Sequence, residues 1–313
     1  MSDSVTAFAP ASIGNVGVGF DMLGLALEGV GDRVSACRTD APGISLADVR
    51  GLDGEPHPHL STDPEHNTAT TAAQALWDDF GGDGGAELRV YKGVPLQSGM
   101  GSSAASAVAG VVAVNALLDS PLDLEKLLPY ALQGEKYASG SMNADNVAPS
   151  LMGGLILCPE VLLPDMFRVP VPDGVSAVLV HPELQVNTAQ ARRRLAKGYS
   201  MEQWLSQQGY LAGFLTACAM NDIALIGKTL KDVIIEPQRV AAVACFDAVK
   251  EAAERGAALG VSLSGSGPSI FALCADNVAS NLAVAMEQAC RSQGIDCQSW
   301  VSPMNAPGAY VET

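Results

Sequence analysis

A nearly continuous apolar run occupies residues 104–118, where Ala, Val and Leu are interrupted by one Ser, one Gly and one Asn. This pattern predicts a helix that is buried on most sides. Residues 95–103 precede it with a proline and two glycines, which predicts a loop. Ser102 and Ser103 then lie where the helix begins, and the unpaired N–H groups and the helix dipole at that end favour an anion by about 0.3–1 kcal/mol. We interpret that anion as a phosphate.

Shorter apolar runs, separated by glycine, proline and polar residues, predict the remaining elements. The first half is expected to contain a strand at 5–10, a strand at 23–37 broken at Gly29 and Gly31, a helix from Asn67 or Thr68 to about Phe80, a strand at 86–92, a helix at 122–137, a polar loop at 139–150 and a buried strand at 152–158. The second half is expected to contain a strand at 175–181, helices at 188–196, 204–225 and 240–256, a strand, glycine loop and strand at 261–273, a helix at 277–293 and a strand near Trp300. This mixture predicts an α+β fold.

The chain has 313 residues, of which 48% are hydrophobic. A single core usually stops growing at about 250–300 residues, so two domains are expected. The segment 159–173 is rich in proline and poor in periodic apolar residues, which places the boundary there. We predict domains at 1–163 and 164–313.

Charge and cysteine content narrow the class of protein. Eighteen Lys and Arg face 34 Asp and Glu, for a net charge of -16, which argues against nucleic acid or an anionic membrane as a partner. It does not exclude an anionic substrate, because local groups determine what a site binds. The seven cysteines form no C-x-x-C pair, and the N-terminus lacks the pattern of a signal peptide. We expect a reduced, cytoplasmic protein.

Two features of the chain admit other interpretations. Gly99, Gly101 and Ala104 fit the dinucleotide pattern G-x-G-x-x-A, but the proline-containing approach to these glycines does not fit a dinucleotide fold. A tight turn that packs a core helix also explains the loop. The histidines at 57, 59 and 66 share no regular spacing with carboxylates or cysteines, so we interpret their segment as a solvated loop.

Three separated motifs, together, are more specific than any one of them. They are Asn15 to Asp21 near the N-terminus, the G-M-G-S-S loop at 99–103, and S-G-S-G-P at 264–268. In this order they resemble the GHMP kinase superfamily, and the sequence P-A-S-I-G-N-V-G-V-G-F-D at 10–21 and the run D-N-V-A-P at 145–149 are similar to homoserine kinases within it. The resemblance covers almost the whole chain.

The resemblance implies a two-domain α+β fold, with a ribosomal-S5-like N-terminal ATP-binding domain and a ferredoxin-like α/β-sandwich C-terminal domain. It implies ATP-dependent, Mg²⁺-assisted phosphorylation of L-homoserine, and a homodimer. The substrate-binding positions that it implies are Asn15, Asp21, Asn143, Thr188, Arg192 and Arg239. At the position of Asn143, homoserine kinases commonly carry a histidine.

The other implied roles concern the phosphate, the metal and catalysis. Ser103 and Glu135 match the Mg²⁺ ligands, with Ser102 as the alternative hydroxyl. Asn146 is expected to orient the acceptor hydroxyl, and Asp145 is a candidate general base, although the base stays open because phosphate oxygens are an alternative proton acceptor. The implied nucleotide-binding positions are Pro95, Gln97, Ser98, Gly99, Met100, Gly101, Ser102, Ser103 and Ala104.

Two alternatives remain open from the sequence. One is a GHMP kinase acting on another small alcohol, and the other is a GHMP-fold protein that binds without catalysis. The intact glycine loop, Ser103 and Glu135 favour catalysis, whereas Asn143 and Gln97, which replaces a usually small residue, favour the non-catalytic alternative.

Overall fold

The computed structural model describes residues 4–139 and 143–313, so residues 140–142 of the polar loop predicted at 139–150 lie outside the described residues. The strands are Ser4–Gly14 (β1), Leu23–Thr39 (β2), Gly43–Gly51 (β3), Gly85–Lys92 (β4), Leu155–Leu157 (β5), Phe167–Val169 (β6), Val175–Pro182 (β7), Gly260–Leu263 (β8), Ile270–Ala275 (β9), Cys297–Pro303 (β10) and Tyr310–Val311 (β11). The α-helices are Thr68–Phe80 (α1), Ser102–Asn115 (α2), Leu128–Ser139 (α3), Ala144–Met152 (α4), Thr188–Arg193 (α5), Met201–Met220 (α6), Ile223–Thr229 (α7), Glu236–Arg239 (α8), Phe246–Arg255 (α9) and Asp276–Ser292 (α10).

The strands form two sheets. The first has the order β11, β1, β2, β4, β3, and β5 and β6 extend it from β2. Its strands pair antiparallel except β3, which runs parallel to β4. The second sheet has the antiparallel order β10, β7, β9, β8. Because β6 and β11 pair within the first sheet, residues beyond 163 contribute to both sheets, and the domain boundary stays a prediction.

Helix α2 lies at the centre of the first layer. It packs against α1, α3, α4 and strands β1 and β2, and its residues 104–115 are all buried. This arrangement confirms the helix that the apolar run predicted. The other face of the first sheet meets the second sheet through a shared core, in which Leu25 and Leu27 of β2 belong to one cluster with Leu179, Phe214 and Phe271.

Most predicted elements are confirmed, including α1, β4, β7 and α10. The predicted polar loop at 139–150 is wrong from residue 144 onwards, because α4 begins there. The buried residues of α4 include Ala144, Val147, Ala148 and Leu151, which have helical spacing. Asp145 and the other polar residues between them obscured this helical pattern in the sequence.

The structure differs from the prediction in three further places. The helix predicted at 204–225 is two helices, because Asn221 adopts a left-handed conformation (φ 55°) and Asp222 caps α7 by accepting from Leu225 N. Strand β3 was missed. The strand predicted to break at Gly29 and Gly31 runs without a break, although its register against β1 shifts at that point. Among the described residues, no helix is both long enough and apolar enough to span a membrane.

Candidate active site

A cavity of about 420 Å³ lies where the 95–103 loop and the start of α2 meet the loops of the second sheet. Pro95, Met100 and Ala104 do not line it, and Met100 and Ala104 are fully buried, so these two shape the loop from behind. The structure brings the other predicted site residues together in its lining: Asn15, Asp21, Gln97, Ser98, Gly99, Gly101, Ser102, Ser103, Glu135, Asn143, Asp145, Asn146, Thr188, Arg192 and Arg239.

The 95–103 loop has a conformation that requires glycine at two positions. Gly99 and Gly101 have φ of +77° and +66°. A Cβ on Gly99 would overlap the carbonyl oxygen of Ser264 and approach that of Gly267 to 2.7 Å, and a Cβ on Gly101 would overlap Ser12 Oγ. Ser264 Oγ also donates to Gly99 O over 2.6 Å. The C-terminal glycine motif therefore packs directly behind this loop.

The two serines at the start of α2 have different partners. Ser102 Oγ donates to Val94 O (3.0 Å) and so stabilises the loop itself. Ser103 Oγ donates to Glu135 Oε2 (2.6 Å), and both residues line the cavity. The structure therefore favours Ser103 over Ser102 as the hydroxyl that acts together with Glu135.

Asp145 is a buried carboxyl group, with 3% of its surface exposed. Its Oδ2 accepts from Asn15 N (3.1 Å), and its Oδ1 accepts from Asn146 Nδ2 (3.3 Å). Burial, with smaller contributions from the carboxylates of Asp21 and Glu135, raises the pKa of Asp145 to about 7, against the opposing effects of the Asn15 N–H and the Arg192 guanidinium. Near neutral pH this carboxyl can therefore both accept and donate a proton.

Asp21 and Arg192 form a bidentate ion pair on the other side of the cavity, with both N–O distances at 2.7 Å. The hydrogen bonds from Arg192 to Asp21 raise the pKa of the guanidinium. Arg192 Nη2 also donates to Asn143 Oδ1 (3.2 Å). Asn15 positions the pair, because its Oδ1 accepts from Asp21 N (3.0 Å) while its Nδ2 donates to Gly265 O (3.0 Å).

Arg239 is buried, with 6% of its surface exposed. Its Nη1 donates to Gly265 O (2.7 Å), whereas within the described part of the chain its buried Nε has no hydrogen-bond partner. Burial lowers the pKa of this guanidinium. Phe20, which the sequence did not single out, lies under both cations, 5.2 Å from Arg239 Cζ and 5.6 Å from Arg192 Cζ. A buried cation with an unpaired donor is suited to bind an anion.

Two protein-family models match this chain. "GHMP kinases N terminal domain" matches residues 67–154, and "GHMP kinases C terminal" matches residues 211–292. The homoserine kinase of Xanthomonas campestris pv. campestris is 43% identical to it over 307 residues, 97% of this chain and 93% of that protein. The chain belongs to the GHMP kinase family.

Solved structures of GHMP kinases agree with this assignment. The crystal structure of homoserine kinase from Cytophaga hutchinsonii is similar to this chain with a TM-score of 0.94 and 40% identity, covering 100% of this chain and 98% of that one. A Lactococcus lactis galactokinase complexed with galactose has a TM-score of 0.67 at 15% identity, covering 98% and 95%. The galactokinase shows that the fold is shared across the family.

GHMP kinases use ATP as the phosphate donor.

Beyond the phosphate loop, the cavity extends along a wall that the sequence did not indicate. Its members lie in loops, at the start of α1, at the end of β4 and in the last turn of α3, where no local pattern separates a binding residue from a structural one. These residues are Leu60, His66, Asn67, Thr68, Lys92, Leu96 and Tyr137.

The residues that face the phosphate loop fit a magnesium ion. The described ranges 4–139 and 143–313 contain no group of three or more His, Cys, Asp or Glu that could hold a metal. Mg²⁺ in phosphoryl-transfer sites is held by one or two protein oxygens together with phosphate oxygens and water. The hydroxyl of Ser103 and the carboxylate of Glu135, 2.6 Å apart on the cavity wall, are such a pair.

Proposed function

We propose that this GHMP kinase is a homoserine kinase, which transfers the γ-phosphoryl group of ATP to the side-chain hydroxyl of L-homoserine and so supplies O-phospho-L-homoserine for threonine synthesis. One observation carries the proposal. A single cavity has a glycine-rich phosphate loop at one end and, at the other, one acidic and two basic side chains, Asp21, Arg192 and Arg239. The relatives that cover nearly the whole chain, and that are named homoserine kinase, support it.

The charged residues suit the zwitterion of an amino acid. Asp21 and Arg192 neutralise each other in the structure. An amino acid can replace this ion pair, because its ammonium then pairs with Asp21 and its carboxylate with Arg192. Arg239, whose Nε lacks a partner among the described residues, supplies the second cation for the carboxylate. Mevalonate and galactose carry no ammonium group, so this set of charges favours an amino acid over those alcohols.

The phosphate end works through positioning and charge neutralisation. Gly99, Gly101, Ser102 and Ser103 line the cavity where α2 begins, and the unpaired N–H groups of a helix N-terminus suit the phosphates of ATP. When bound, Mg²⁺ neutralises charge on the phosphate oxygens, and Ser103 and Glu135 are the residues that would hold it.

Asn146 and Asp145 lie between the two ends of the cavity. Ser12 Oγ donates to Asn146 Oδ1 (3.0 Å), which fixes the amide so that it can orient the acceptor hydroxyl. The hydroxyl proton passes either to Asp145, whose pKa is about 7, or to an oxygen of the transferred phosphoryl group. The effect of Asp145→Asn on the pH dependence of kcat distinguishes these two acceptors, because only the first makes the ionisation of Asp145 part of the reaction.

Two expectations stay predictions. The homodimer, which the resemblance implies, would be measured by sedimentation equilibrium. The cytoplasmic location, which the cysteines and the N-terminus suggested, would be measured by cell fractionation. Helix α6 exposes Met201, Trp204, Leu205 and Met220, so it is the first surface to mutate if the protein is a dimer.

The proposed activity is tested by Mg²⁺-dependent release of ADP from ATP. The acceptors are L-homoserine, D-homoserine, L-serine, L-threonine, mevalonate and galactose, with a reaction lacking acceptor as the control. We expect strong stimulation by L-homoserine and weak or no stimulation by its enantiomer, because the ammonium and carboxylate sites fix the hand of the amino acid.

The other outcomes have distinct meanings. Stimulation by a different alcohol would retain the kinase and move the substrate. Measurable ATP binding with no stimulation by any acceptor would contradict catalysis and support a GHMP-fold binding protein.

A further inference from the structure

Asp32, in β2, connects to the entry of the phosphate loop. Its side chain is completely buried and does not line the cavity. Its Oδ1 accepts two backbone hydrogen bonds, from Gly93 N (2.9 Å) and from Val94 N (3.0 Å). These two residues begin the loop that leads to Gly99, so the carboxylate fixes where the loop starts.

The other oxygen of the same carboxylate connects to the exit of the loop. Asp32 Oδ2 accepts from Ser106 Oγ (2.6 Å) and from Lys92 Nζ. Lys92 Nζ also donates to Ser106 Oγ and to Ser102 O, both at 2.9 Å. Ser102 and Ser106 form the first turns of α2, the helix whose N-terminus faces the cavity. One buried carboxylate thus holds both ends of the loop.

Lys92 lines the cavity, but its hydrogen bonds assign it to the loop rather than to a phosphate. A lysine ammonium has three N–H donors. All three are matched by protein acceptors, namely Asp32 Oδ2, Ser102 O and Ser106 Oγ. Its charge is also neutralised by Asp32 at close range. This lysine therefore differs from a lysine that reaches into a site to contact phosphate.

Stability alone does not account for a buried pair of this kind, because replacing buried ion pairs by apolar residues is often neutral or stabilising. The middle of the loop is held by other segments, through Ser12 N to Met100 O (3.0 Å) and Ser269 N to Ser98 O (3.1 Å). The Asp32 network adds the fixed ends. A loop with fixed ends keeps Gly99, Gly101 and the start of α2 at the cavity wall and loses less conformational entropy when a nucleotide binds.

We propose that Asp32, Lys92 and Ser106 are positioning residues that hold the phosphate loop in the conformation that binds ATP. This inference rests on the proposed function, since it assigns ATP to the loop. It predicts that disturbing the network weakens nucleotide binding and leaves binding of the amino acid at the far end of the cavity nearly unchanged.

Ser106→Ala and Ser302→Ala are a matched pair for the test. Both serines are buried and hydrogen bonded. Ser106 lines the cavity and its hydroxyl donates to Asp32 Oδ2, whereas Ser302 accepts from Glu28 N (2.9 Å) of β2 and does not line the cavity. We expect similar decreases in Tm for the two variants. We expect Ser106→Ala to raise the Kd for ATP, measured by calorimetry without acceptor, about 5-fold or more, while the KM for homoserine stays within 2-fold of the unmodified protein. We expect Ser302→Ala to leave both constants unchanged.

Variants of the ion pair separate stability from positioning. Asp32→Asn leaves Lys92 as a buried cation without its carboxylate, so we expect a lower Tm and a Kd for ATP at least 10-fold higher. Combining Asp32→Asn with Lys92→Met removes both charges, which should recover much of the Tm without recovering ATP affinity.

The inference is overturned if Ser106→Ala and Ser302→Ala bind ATP equally well, or if the Kd for ATP and the KM for homoserine rise together. It is also overturned if ATP affinity recovers along with Tm in the double variant. Failure of the proposed function has a different signature. In that case the unmodified protein would bind ATP without phosphorylating homoserine, while the comparison of ATP affinities among the variants would still decide the role of Asp32.

Discussion

Replacing Arg239 by methionine tests the acceptor end of the cavity most directly. Methionine replaces the apolar stem of arginine with an unbranched side chain and removes the charge and all five donors. In the structure Arg239 has one hydrogen bond, from Nη1 to Gly265 O, and an Nε without a partner among the described residues. Two charged hydrogen bonds to a substrate carboxylate, each contributing about 1.5–3 kcal/mol, correspond to a loss of about 10²–10⁴-fold in kcat/KM for homoserine.

The same substitution is expected to stabilise the protein. Arg239 is desolvated, and burial lowers the pKa of its guanidinium, which shows that the fold disfavours the charged form. Gly265 O keeps its hydrogen bond from Asn15 Nδ2 after the arginine is removed. We therefore expect the free energy of unfolding without ligand to rise by about 1–3 kcal/mol, as when buried charges are replaced by apolar groups.

Steady-state kinetics, ATP calorimetry and urea unfolding measure the three quantities for Arg239→Met. Arg193→Met is the control for loss of an arginine near the cavity, because Arg193 follows Arg192 in α5 but is exposed and does not line the cavity. The reasoning is refuted if ATP affinity falls as much as kcat/KM for homoserine, or if Arg239→Met is clearly less stable than the unmodified protein.

Three further predictions concern the phosphate loop and the buried carboxyl. For Asp145, the pKa in the folded protein (about 7) lies above its ordinary value of 3.8. Folding stability should therefore decrease as pH rises from about 4 to 7, by at most about 4 kcal/mol. Asp145→Asn should flatten this dependence in unfolding measured from pH 4 to 8, and an unchanged slope would contradict the assignment. Gly99→Ala should abolish ATP binding and lower Tm, because its Cβ would overlap Ser264 O, whereas Gly82→Ala, with φ +70° and no atom within 4 Å of the added Cβ, should cost only the dihedral strain of about 1 kcal/mol. Glu135→Gln keeps an acceptor for Ser103 but removes the charge, so activity titrated with Mg²⁺ should need at least about 10-fold more metal, and an unchanged Mg²⁺ dependence would exclude Glu135 as a ligand.

Local pattern in the sequence was sufficient for several features. The apolar run at 104–118 specified a buried helix. The sequence placed the start of helix α1 at Asn67 or Thr68, and in the structure Asn67 is the N-cap, since its Oδ1 accepts from Ala69 N. The glycines at 99 and 101 indicated a loop that side chains cannot occupy. Helical periodicity and the freedom of glycine to adopt a positive φ are local properties of the chain, so the sequence pattern contains them. The atoms that a Cβ on Gly99 would meet, in Ser264 and Gly267, are distant in the sequence, and only the structure shows them.

Helix α4 shows where local pattern was insufficient. Ala144, Val147, Ala148 and Leu151 are buried with helical spacing, but the polar residues and the proline among them suggested a loop. What favours the helix is its packing against β1 and β2 and the long-range hydrogen bond from Asn15 N to the Asp145 carboxylate. These contacts join residues more than a hundred positions apart, and no window of the sequence displays them.

The sequence by itself therefore determined the buried helix, the glycine loop before it and, through the resemblance carried by three motifs, many of the residues that line the cavity, although not the wall beyond the phosphate loop. The tertiary structure decided how those residues are used. It directed Ser103 rather than Ser102 towards Glu135, paired Asp21 with Arg192, left Arg239 Nε without a partner in the described chain, and brought Asp32 to both ends of the loop. Hydrogen bonds and ion pairs of this kind depend on distances between residues far apart in the chain, and only folding sets those distances.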